Sequence, residues 1–350
     1  MKELIRGLHM PAEWEKHERT LIAFPVRETM CYPEDAARVC AGYAALAHAI
    51  SEFEPVTVIT RPGEAVPILN TSGNPMIDLL PLPHNDSWIR DNGPTFLVDG
   101  QGHRAGINWH FNAWGEKYPD WALDDRLAPL LLDHFQTPRI DAPLVLEGGS
   151  IHADGAGTLL TTEQCLLSPN RNPRLSRAQI EAELKRLLGI RTIIWLNRGL
   201  AGDETDGHVD NLACFAAPGK VLLQTCDHPD DPNYQVTRKN LEILRRATDA
   251  RGRKIDVIPI PQPPLRMFRG KRLTLSYLNF YLVNGGVILP VFGGDAAATD
   301  KAAVERIGQA FAGRRVRTID GTAVITEGGN VHCATQQIPA IQGGKKHEND

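Results

Sequence analysis

Short β-rich runs alternate with amphipathic helical stretches along the whole chain. Runs rich in β-branched and large apolar residues predict strands at Val56–Thr60, Thr192–Leu196 and Val287–Leu289. Strands that alternate with helices in this way are typical of the mixed α/β class. Because no low-complexity linker divides the chain, we expect one domain over residues 1–343, followed by a flexible lysine-rich tail at 344–350.

Two helices carry both a start and a stop signal. Ser176 is followed three residues later by Gln179, which is a capping box, and Gly189 ends the apolar pattern that follows. A second helix is predicted after Thr299, with Gly313 as its stop. The apolar stripe of the first helix is Ile180, Leu184, Leu187 and Leu188, and that of the second is Val304, Ile307 and Phe311.

A seven-residue segment occurs twice in the chain. Leu146–His152 matches Thr326–His332, with the same Glu-Gly-Gly core and the same final histidine, and Asn284–Leu289 is a looser echo. Chance recurrence is the alternative, since the chain has 31 glycines. The length of the match favours one structural unit used several times around an axis, with equivalent strand ends meeting at one centre.

Composition excludes several classes of protein. A chain of 350 residues with 42% apolar and 23% charged positions can bury a substantial core and is not of the disordered type. The net charge of −4 and the absence of a basic run argue against a nucleic-acid partner.

Targeting signals are also missing from the sequence. Met1–Gly7 contains no apolar h-region, and no stretch approaches the roughly 18 apolar residues of a membrane helix. The six cysteines are scattered without a CxxC pair. We therefore expect reduced thiols, a cytoplasmic location and no membrane partner.

Cys333 is the strongest candidate nucleophile. It follows the glycine turn Gly328–Gly329, which allows a ligand to approach the backbone, and precedes a polar run. A lone cysteine is more often a small buried apolar residue. That structural interpretation is given to the other five cysteines, which have no comparable setting: Cys31, Cys40, Cys165, Cys214 and Cys226.

His208 is the candidate proton carrier. If the segment that contains it is a strand, His208 and Asp210 project from the same face, because side chains repeat every second residue. A histidine titrates near neutral pH, and a neighbouring carboxylate selects its tautomer. A surface turn rich in Asp and Gly is the structural alternative.

Two further carboxylates and one tryptophan complete the candidate set. Glu147 follows an apolar run, so it lies at the end of a buried strand and needs a cationic partner or good hydrogen-bond donors. A structural salt bridge with an arginine is the alternative for Glu147, and a local ion pair with Arg90 for Asp91. Trp88 is either a core residue or a ring that faces a ligand cation.

A thiol, a histidine and several carboxylates suit attack on a guanidinium group. This cation is planar and donates up to five hydrogen bonds, so two or three carboxylates can bind it edge-on. In a dry pocket, a thiolate can attack its carbon while an acid protonates the departing nitrogen. The bound cation also favours the thiolate form of the cysteine.

These residues lie in motifs whose order resembles one family along most of the chain. The sequence resembles the agmatine deiminases, grouped with the bacterial-type peptidylarginine deiminases in the guanidine-modifying pentein superfamily. The motifs that carry the resemblance are Met10–Glu15, His17–Thr20, Asn85–Thr95, Leu146–Ser150, Gly202–Asp210 and Gly329–Pro339.

The resemblance implies a fold and a reaction. The fold would be a five-bladed α/β-propeller of pseudo-fivefold ββαβ units, in agreement with the internal repeat. The reaction would convert agmatine and water to N-carbamoylputrescine and ammonia through a covalent thiouronium intermediate, as a step of putrescine and polyamine biosynthesis. It would need no cofactor and no metal, and a homodimer is compatible with the resemblance.

The resemblance also implies residue roles. Cys333 would be the nucleophile and His208 the general acid and then base. Glu147 would support the histidine and one guanidinium nitrogen. The remaining roles concern the substrate: Asp91 and Asp210 would bind the guanidinium, Trp88 would pack on the substrate, and Glu204 would recognise the far amine of agmatine.

Two stretches depart from the family pattern. Phe24–Met30 stands where agmatine deiminases usually have Trp-Pro followed by a second tryptophan, and Glu327 replaces a small residue found in many members. If these stretches form the rim of the site, they affect the preferred length and end group of the substrate.

Three other functions are compatible with the residues. Deimination of free or peptidyl arginine uses the same chemistry, but an acidic Glu204 suits an amine better than the α-carboxylate of free arginine. A metal hydrolase built from His208, Asp210, Asp91 and Glu147 lacks the paired-histidine spacing of such sites. A non-catalytic binding protein would be expected to have lost some of these polar residues.

Overall fold

The computed structural model of the protein describes residues 7–341, so the predicted tail at 344–350 lies outside the described residues. Its strands are β1 His17–Ala23, β2 Val56–Thr60, β3 Ile77–Pro81, β4 Thr95–Val98, β5 Arg104–His110, β6 Arg139–Val145, β7 Ile151–Ala153, β8 Thr158–Thr162, β9 Thr192–Leu196, β10 Ala213–Ala217, β11 Lys220–Thr225, β12 Asp256–Pro261, β13 Met267–Phe268, β14 Lys271–Arg272, β15 Tyr281–Val283, β16 Gly286–Val291, β17 Arg315–Asp320 and β18 Gln336–Pro339. The helices are α1 Ala36–Ser51, α2 Ile89–Asn92, α3 Leu127–His134, α4 Glu163–Leu166, α5 Arg177–Leu188, α6 Pro232–Arg246 and α7 Ala297–Ala310.

One connectivity is repeated in five sheets of residues 7–341. Two strands pair antiparallel, and after a helix a third strand pairs parallel to the second. These sheets are β18-β1-β2-β3, β4-β5-β6, β7-β8-β9, β10-β11-β12 and β15-β16-β17, and β3 extends the first of them by one parallel strand. Because β18 pairs with β1, the two ends of the described chain share a sheet.

The predicted elements occur where the patterns placed them. β2 and β9 have the predicted bounds, and β16 extends the predicted strand Val287–Leu289 at both ends. The capping box of Ser176 and Gln179 is present, and Gly189 adopts the left-handed conformation (φ 66°) that ends α5. Helix α7 begins two residues before Thr299, and Gly313 follows it with φ 90°. The mixed α/β class is confirmed.

The core lies between the sheets and the helices that cover them. All residues of β2 and of β8 are buried, as expected for strands with parallel neighbours that are covered on both faces. The stripe of α5 packs Ile180 and Leu184 into the same core as Ile107 and Leu159. Each such buried side chain contributes roughly 1.5–3 kcal/mol relative to exposure. Among residues 7–341, no helix combines the length and the apolar character needed to cross a bilayer.

The two copies of the repeated segment meet at one carboxylate. His152 and His332, the final histidines of the copies, approach the two oxygens of Glu13 at 3.5 and 2.8 Å. The expectation that equivalent ends of the repeat converge is confirmed for this pair. The glutamates of the two copies differ in their surroundings: Glu147 is fully buried, whereas Glu327 lines a pocket wall.

Candidate active site

A pocket of about 280 Å³ opens beside the predicted nucleophile. Four of the predicted residues line it: Trp88, Asp91, Glu204 and Cys333. The other three, Glu147, His208 and Asp210, are at most 1% exposed and are not among the lining residues. The pocket is therefore bounded on one side by a buried polar cluster.

Gly149 marks the point at which the buried cluster converges. A β-carbon built on this glycine would lie 2.7 Å from His208 Nδ1, 2.8 Å from Asp91 Oδ1 and 2.9 Å from Asp210 Oδ2. Any side chain here would collide with all three groups, so the second glycine of the repeat is required by close approach. The structure brings Asp91, His208 and Asp210 together around one backbone position.

The thiol of Cys333 faces one carboxylate and one amide. Its Sγ lies 3.4 Å from Asp210 Oδ2 and accepts a hydrogen bond from Asn279 Nδ2 at 3.1 Å. Burial raises the pKa of Cys333 well above its ordinary value, and the charges of Asp210 and Asp91 raise it further. Without a bound cation the group is therefore a thiol and not a thiolate.

His208 lies between two carboxylates. Its Nδ1 is 3.7 Å from Asp91 Oδ1 and its Nε2 is 3.7 Å from Glu147 Oε2. Burial disfavours the imidazolium, but Asp91, Cys165 and Glu147 outweigh it and raise the pKa of His208 well above its ordinary value. The segment is a turn, as in the alternative to a strand, but it is buried: Val209–Asn211 is a 3-10 turn, and the side chains of His208 and Asp210 converge around it.

Glu147 has the arginine partner that its burial requires. Arg171 Nε donates to Glu147 Oε1 at 2.6 Å, and both side chains are 0% exposed. Burial alone would raise the pKa of Glu147, but the neighbouring His208 and the Arg171 charge outweigh it and lower the pKa. Arg171 also donates to Asp206 Oδ2 at 2.8 Å. The salt bridge with an arginine that was considered for Glu147 is therefore present, and Glu147 also faces His208.

Asp91 accepts one hydrogen bond on each oxygen. Trp114 Nε1 donates to Oδ2 at 2.8 Å, and Gly149 N donates to Oδ1 at 3.0 Å. Burial raises the pKa of Asp91 to about 6; His208 opposes this, and Asp210 and Glu147 add to it. Arg90 does not pair with Asp91 as the local alternative supposed, since it pairs with Glu13 at 3.4 Å.

Trp114 reaches Asp91 from a strained segment. Ala113, Trp114, Gly115 and Glu116 all have positive φ, at 51°, 56°, 94° and 61°. Three of them are not glycine, and consecutive left-handed residues of this kind are costly. The segment is held by Asn112, whose side chain accepts from Gly115 N at 2.9 Å. Strain concentrated beside a buried carboxylate is typical of functional sites.

Asp210 belongs to a buried chain of charges. His332 Nδ1 lies 3.0 Å from Asp210 Oδ2, and its Nε2 lies 2.8 Å from Glu13 Oε1. Burial raises the pKa of Asp210, but the hydrogen bond and charge of His332, followed by His208, outweigh it and lower the pKa. The final histidine of the repeat thus helps to keep Asp210 ionised.

Trp88 and Glu204 lie on the pocket wall. Trp88 is 7% exposed and packs in a hydrophobic cluster with Tyr43, so it is both a core residue and a pocket residue. Glu204 is engaged at both oxygens: Lys271 Nζ lies 3.2 Å from Oε1, and the Tyr118 hydroxyl donates to Oε2 at 2.7 Å.

One group within the cluster has the composition of a metal site. Glu147, Cys165 and His208 are buried and could each offer a ligand atom, with these atoms within 4.8 Å of one another. Such ligands suit zinc, although Arg171 already neutralises Glu147. The sequence indicated only a structural role for Cys165. In the structure, Cys165 is one of the groups that raise the pKa of His208.

Sequence patterns missed Trp114, Arg171 and Asn279, which contact buried residues of the candidate set. Trp114 and Arg171 each donate one side-chain hydrogen bond to it, and the Asn279 amide donates to the Cys333 sulfur and accepts from the Cys333 backbone N. None belongs to the repeat or to a periodic pattern. His332 could have been found, because it is the final residue of the repeated segment.

Comparisons with known proteins agree on one family. The sequence model of the family described as Porphyromonas-type peptidyl-arginine deiminase matches residues 9–339. The agmatine deiminase of Stutzerimonas stutzeri is 43% identical, over 95% of this chain and 96% of that protein. The agmatine deiminase of Medicago truncatula is 42% identical, over 96% and 97%. A solved structure of the Enterococcus faecalis agmatine deiminase superposes with a TM-score of 0.89 at 32% identity, over 97% of this chain and 98% of that one.

Removing the cation that neutralises Glu147 should destabilise the protein. We expect Arg171→Met to lower the free energy of unfolding by about 3–5 kcal/mol, because it leaves a buried carboxylate unpaired. Urea unfolding followed by circular dichroism measures this. Arg186→Met is the matched control, since Arg186 is 42% exposed and pairs with Glu183; its effect should stay below about 1 kcal/mol. Equal effects of the two changes would contradict the assignment.

Proposed function

Because the chain belongs to the Porphyromonas-type peptidyl-arginine deiminase family, we propose that it is a hydrolase that converts agmatine and water to N-carbamoylputrescine and ammonia. The observation that carries this proposal is the convergence of Asp91, His208 and Asp210 at Gly149, with the Cys333 sulfur 3.4 Å from Asp210. The agmatine deiminases among its relatives support the choice of substrate.

The buried cluster has the unsatisfied groups that a guanidinium would satisfy. Within residues 7–341, the carboxylate oxygens Asp210 Oδ1 and Glu147 Oε2 are buried without a hydrogen-bond partner. Such groups are costly to leave unpaired. A planar cation with five donors, held by Asp91 and Asp210 with Glu147 at one nitrogen, would pair the carboxylate oxygens. Trp88 would pack on the bound substrate from the pocket wall.

Cys333 and His208 carry the first half of the reaction. The guanidinium neutralises the carboxylates that raise the pKa of the Cys333 thiol, so on binding the thiol releases its proton to solvent and becomes a thiolate. The thiolate forms a bond to the central carbon. His208, an imidazolium between Asp91 and Glu147, gives its proton to the departing nitrogen. The carbon–nitrogen bond then breaks, ammonia leaves, and a thiouronium remains on Cys333.

His208 reverses its role in the second half. The neutral imidazole takes a proton from water, and the resulting hydroxide attacks the thiouronium carbon. The carbon–sulfur bond breaks, and the departing thiolate takes up the proton of the new hydroxyl group. This step restores the Cys333 thiol and leaves a neutral ureido group. Because that product has no charge for Asp91 and Asp210 to bind, it is held less tightly than the substrate.

The repeated sheets support the proposal of a five-bladed propeller, and a single catalytic domain over residues 1–343 stays a prediction. Five sheets with the ββαβ order, and the pairing of β18 with β1, are what a closed ring of five units requires. The meeting of His152 and His332 at Glu13 supports a central axis. A homodimer, a cytoplasmic location and a place in putrescine biosynthesis stay predictions.

Ammonia release from a panel of substrates tests this function. We expect agmatine to be turned over with a kcat/KM well above that of free arginine or a blocked arginine peptide. Higher activity on the peptide or on free arginine would replace agmatine by the alternative substrate. Activity lost to a chelator and insensitive to thiol alkylation would favour the metal hydrolase.

Cys333→Ala should remove the reaction while the protein stays folded. We expect kcat on agmatine to fall by at least about 1000-fold, because the Cys333 sulfur, 3.4 Å from Asp210, forms the covalent intermediate. Cys226→Ala, at a buried cysteine outside the site, should retain activity. Brief exposure of the wild type to agmatine should yield an adduct on Cys333 by mass spectrometry. Undiminished turnover in Cys333→Ala would contradict the assignment of Cys333 as the nucleophile.

The hydrogen bond from Trp114 should set the acid limit of activity. Asp91 must be ionised to bind a guanidinium, and with its pKa at about 6 we expect kcat/KM for agmatine to fall as the pH drops below about 6. Trp114→Phe removes a donor that stabilises the carboxylate, so the pKa rises and the acid limb moves to higher pH by about one unit.

Trp109→Phe is the matched control for this pH shift. Trp109 Nε1 donates to Thr95 Oγ1 at 2.9 Å, a buried bond that does not involve Asp91. Its loss should leave the acid limb of kcat/KM in place. An unchanged limb in Trp114→Phe, or an equal shift in both variants, would show that Trp114 does not tune Asp91.

A further inference from the structure

The two stretches that depart from the family pattern meet at the pocket rim. Glu327 Oε2 accepts a hydrogen bond from the backbone N of Cys31 at 2.8 Å, directly after Phe24–Met30. Glu327 lines the same pocket as Cys333, together with Val26, Met30 and Cys31. The two departures therefore form one wall: the loop supplies the amide, and Glu327 supplies the carboxylate.

The Glu327 carboxylate is connected to the nucleophile by a short rigid segment. Gly329, two residues further along, packs so closely that a β-carbon there would lie 2.7 Å from the Trp88 ring and 2.9 Å from Cys333 Cβ. Gly328 between them has φ 109°, which a side chain would disfavour. The position of Glu327 is thus set from both sides, by Cys31 and by the Gly328–Gly329 turn.

Of the three glutamates that line the pocket, Glu327 has a buried carboxylate oxygen without a hydrogen-bond partner in the described part of the chain, whereas the other two are paired or exposed. Glu204 is engaged at both oxygens, by Lys271 and Tyr118. The Glu28 side chain is 74% exposed and lies 3.9 Å from Arg61. Glu327 Oε1 is buried and has no hydrogen-bond partner within residues 7–341. A buried carboxylate oxygen without a partner is costly unless a cation or donor completes it.

The direction of the Glu327 pKa shift agrees with a buried oxygen that has no partner among residues 7–341. Burial raises the pKa of Glu327, and the hydrogen bond from the Cys31 amide opposes that rise. A cation bound at Oε1 would offset the desolvation of the carboxylate. Free arginine would instead bring its α-carboxylate towards this wall, where repulsion by Glu327 disfavours it.

We propose that Glu327 is a specificity-determining residue that binds the ammonium group at the far end of an aminoalkylguanidine substrate. This inference rests on the proposed function, because it concerns the part of the same substrate that does not react. The rim loop positions the carboxylate through the Cys31 amide. The pocket then selects for a second cation beyond the guanidinium.

The test compares agmatine with n-pentylguanidine, in which a methyl group replaces the ammonium. In Glu327→Gln the amide oxygen can still accept from Cys31, so the rim loop keeps its contact while the charge is lost. We expect KM for agmatine to rise roughly 10- to 100-fold, as loss of a charge-assisted hydrogen bond implies. The kcat on agmatine and the kcat/KM for n-pentylguanidine should change less than about threefold.

Two matched variants separate Glu327 from the other rim carboxylates. Glu28→Gln removes an equal charge from an exposed position and should change the preference for agmatine over n-pentylguanidine by less than about threefold. Glu204→Gln should change it less than Glu327→Gln does, because Glu204 is already paired with Lys271. The proposal is overturned if Glu327→Gln keeps the wild-type preference, or if only Glu204→Gln abolishes it.

The same assay separates failure of the Glu327 proposal from failure of the proposed deiminase function. A wild type that deiminates neither guanidine refutes the proposed reaction and, with it, the role of Glu327. A wild type that deiminates both guanidines equally well upholds the reaction and refutes only the selection for an ammonium.

Discussion

Four carboxylates, Glu13, Asp91, Glu147 and Asp210, are each at most 3% exposed, and their charges have to be compensated inside the protein. Arg171 neutralises Glu147. Glu13 and Asp210 share one histidine, His332, and Arg90 adds a second cation at Glu13. Asp91 accepts hydrogen bonds from two neutral donors and has His208 at 3.7 Å as its cationic neighbour, and its pKa is raised to about 6. Of the four carboxylates, Asp91 is the one that lines the pocket, so a cation that enters the pocket would contact it first.

Glycine makes this density of charge geometrically possible. The second glycine of each repeat copy lies against the candidate catalytic groups: Gly149 against His208, Asp91 and Asp210, and Gly329 against Trp88 and Cys333. A β-carbon at either position would lie within 3.0 Å of these groups, so they would have to move apart. The glycines of the repeat thus allow close packing of the site residues. One copy of the repeat lies against His208, Asp91 and Asp210, and the other lies against Trp88 and Cys333.

The centre and the rim of the site differ in how they are built. The centre consists of buried groups, each held by partners from several sheets, so single changes there affect folding as well as chemistry. The rim consists of one loop and the Glu327 carboxylate, joined by a hydrogen bond to the Cys31 amide. We therefore expect changes at the rim to alter the preferred end group of a substrate more than the reaction at the centre.

The sequence by itself determined the elements whose signals are local. The capping box at Ser176, the bounds of β2 and β9, and the Glu-Gly-Gly repeat could be read because each depends on neighbouring residues. The motifs also singled out seven candidate site residues. Their order along the chain carried the resemblance to the family, and with it the expected roles.

Only the tertiary structure decided which groups share the interior. Trp114, Arg171 and Asn279 act through hydrogen bonds that join residues 23, 24 and 54 positions apart, and no periodicity reports such contacts. His208 and Asp210 converge through a 3-10 turn where alternation suggested a strand, because packing around Gly149 and not local propensity sets that backbone. Local sequence specifies how a segment folds, whereas the compensation of buried charge depends on partners that only the assembled sheets bring together.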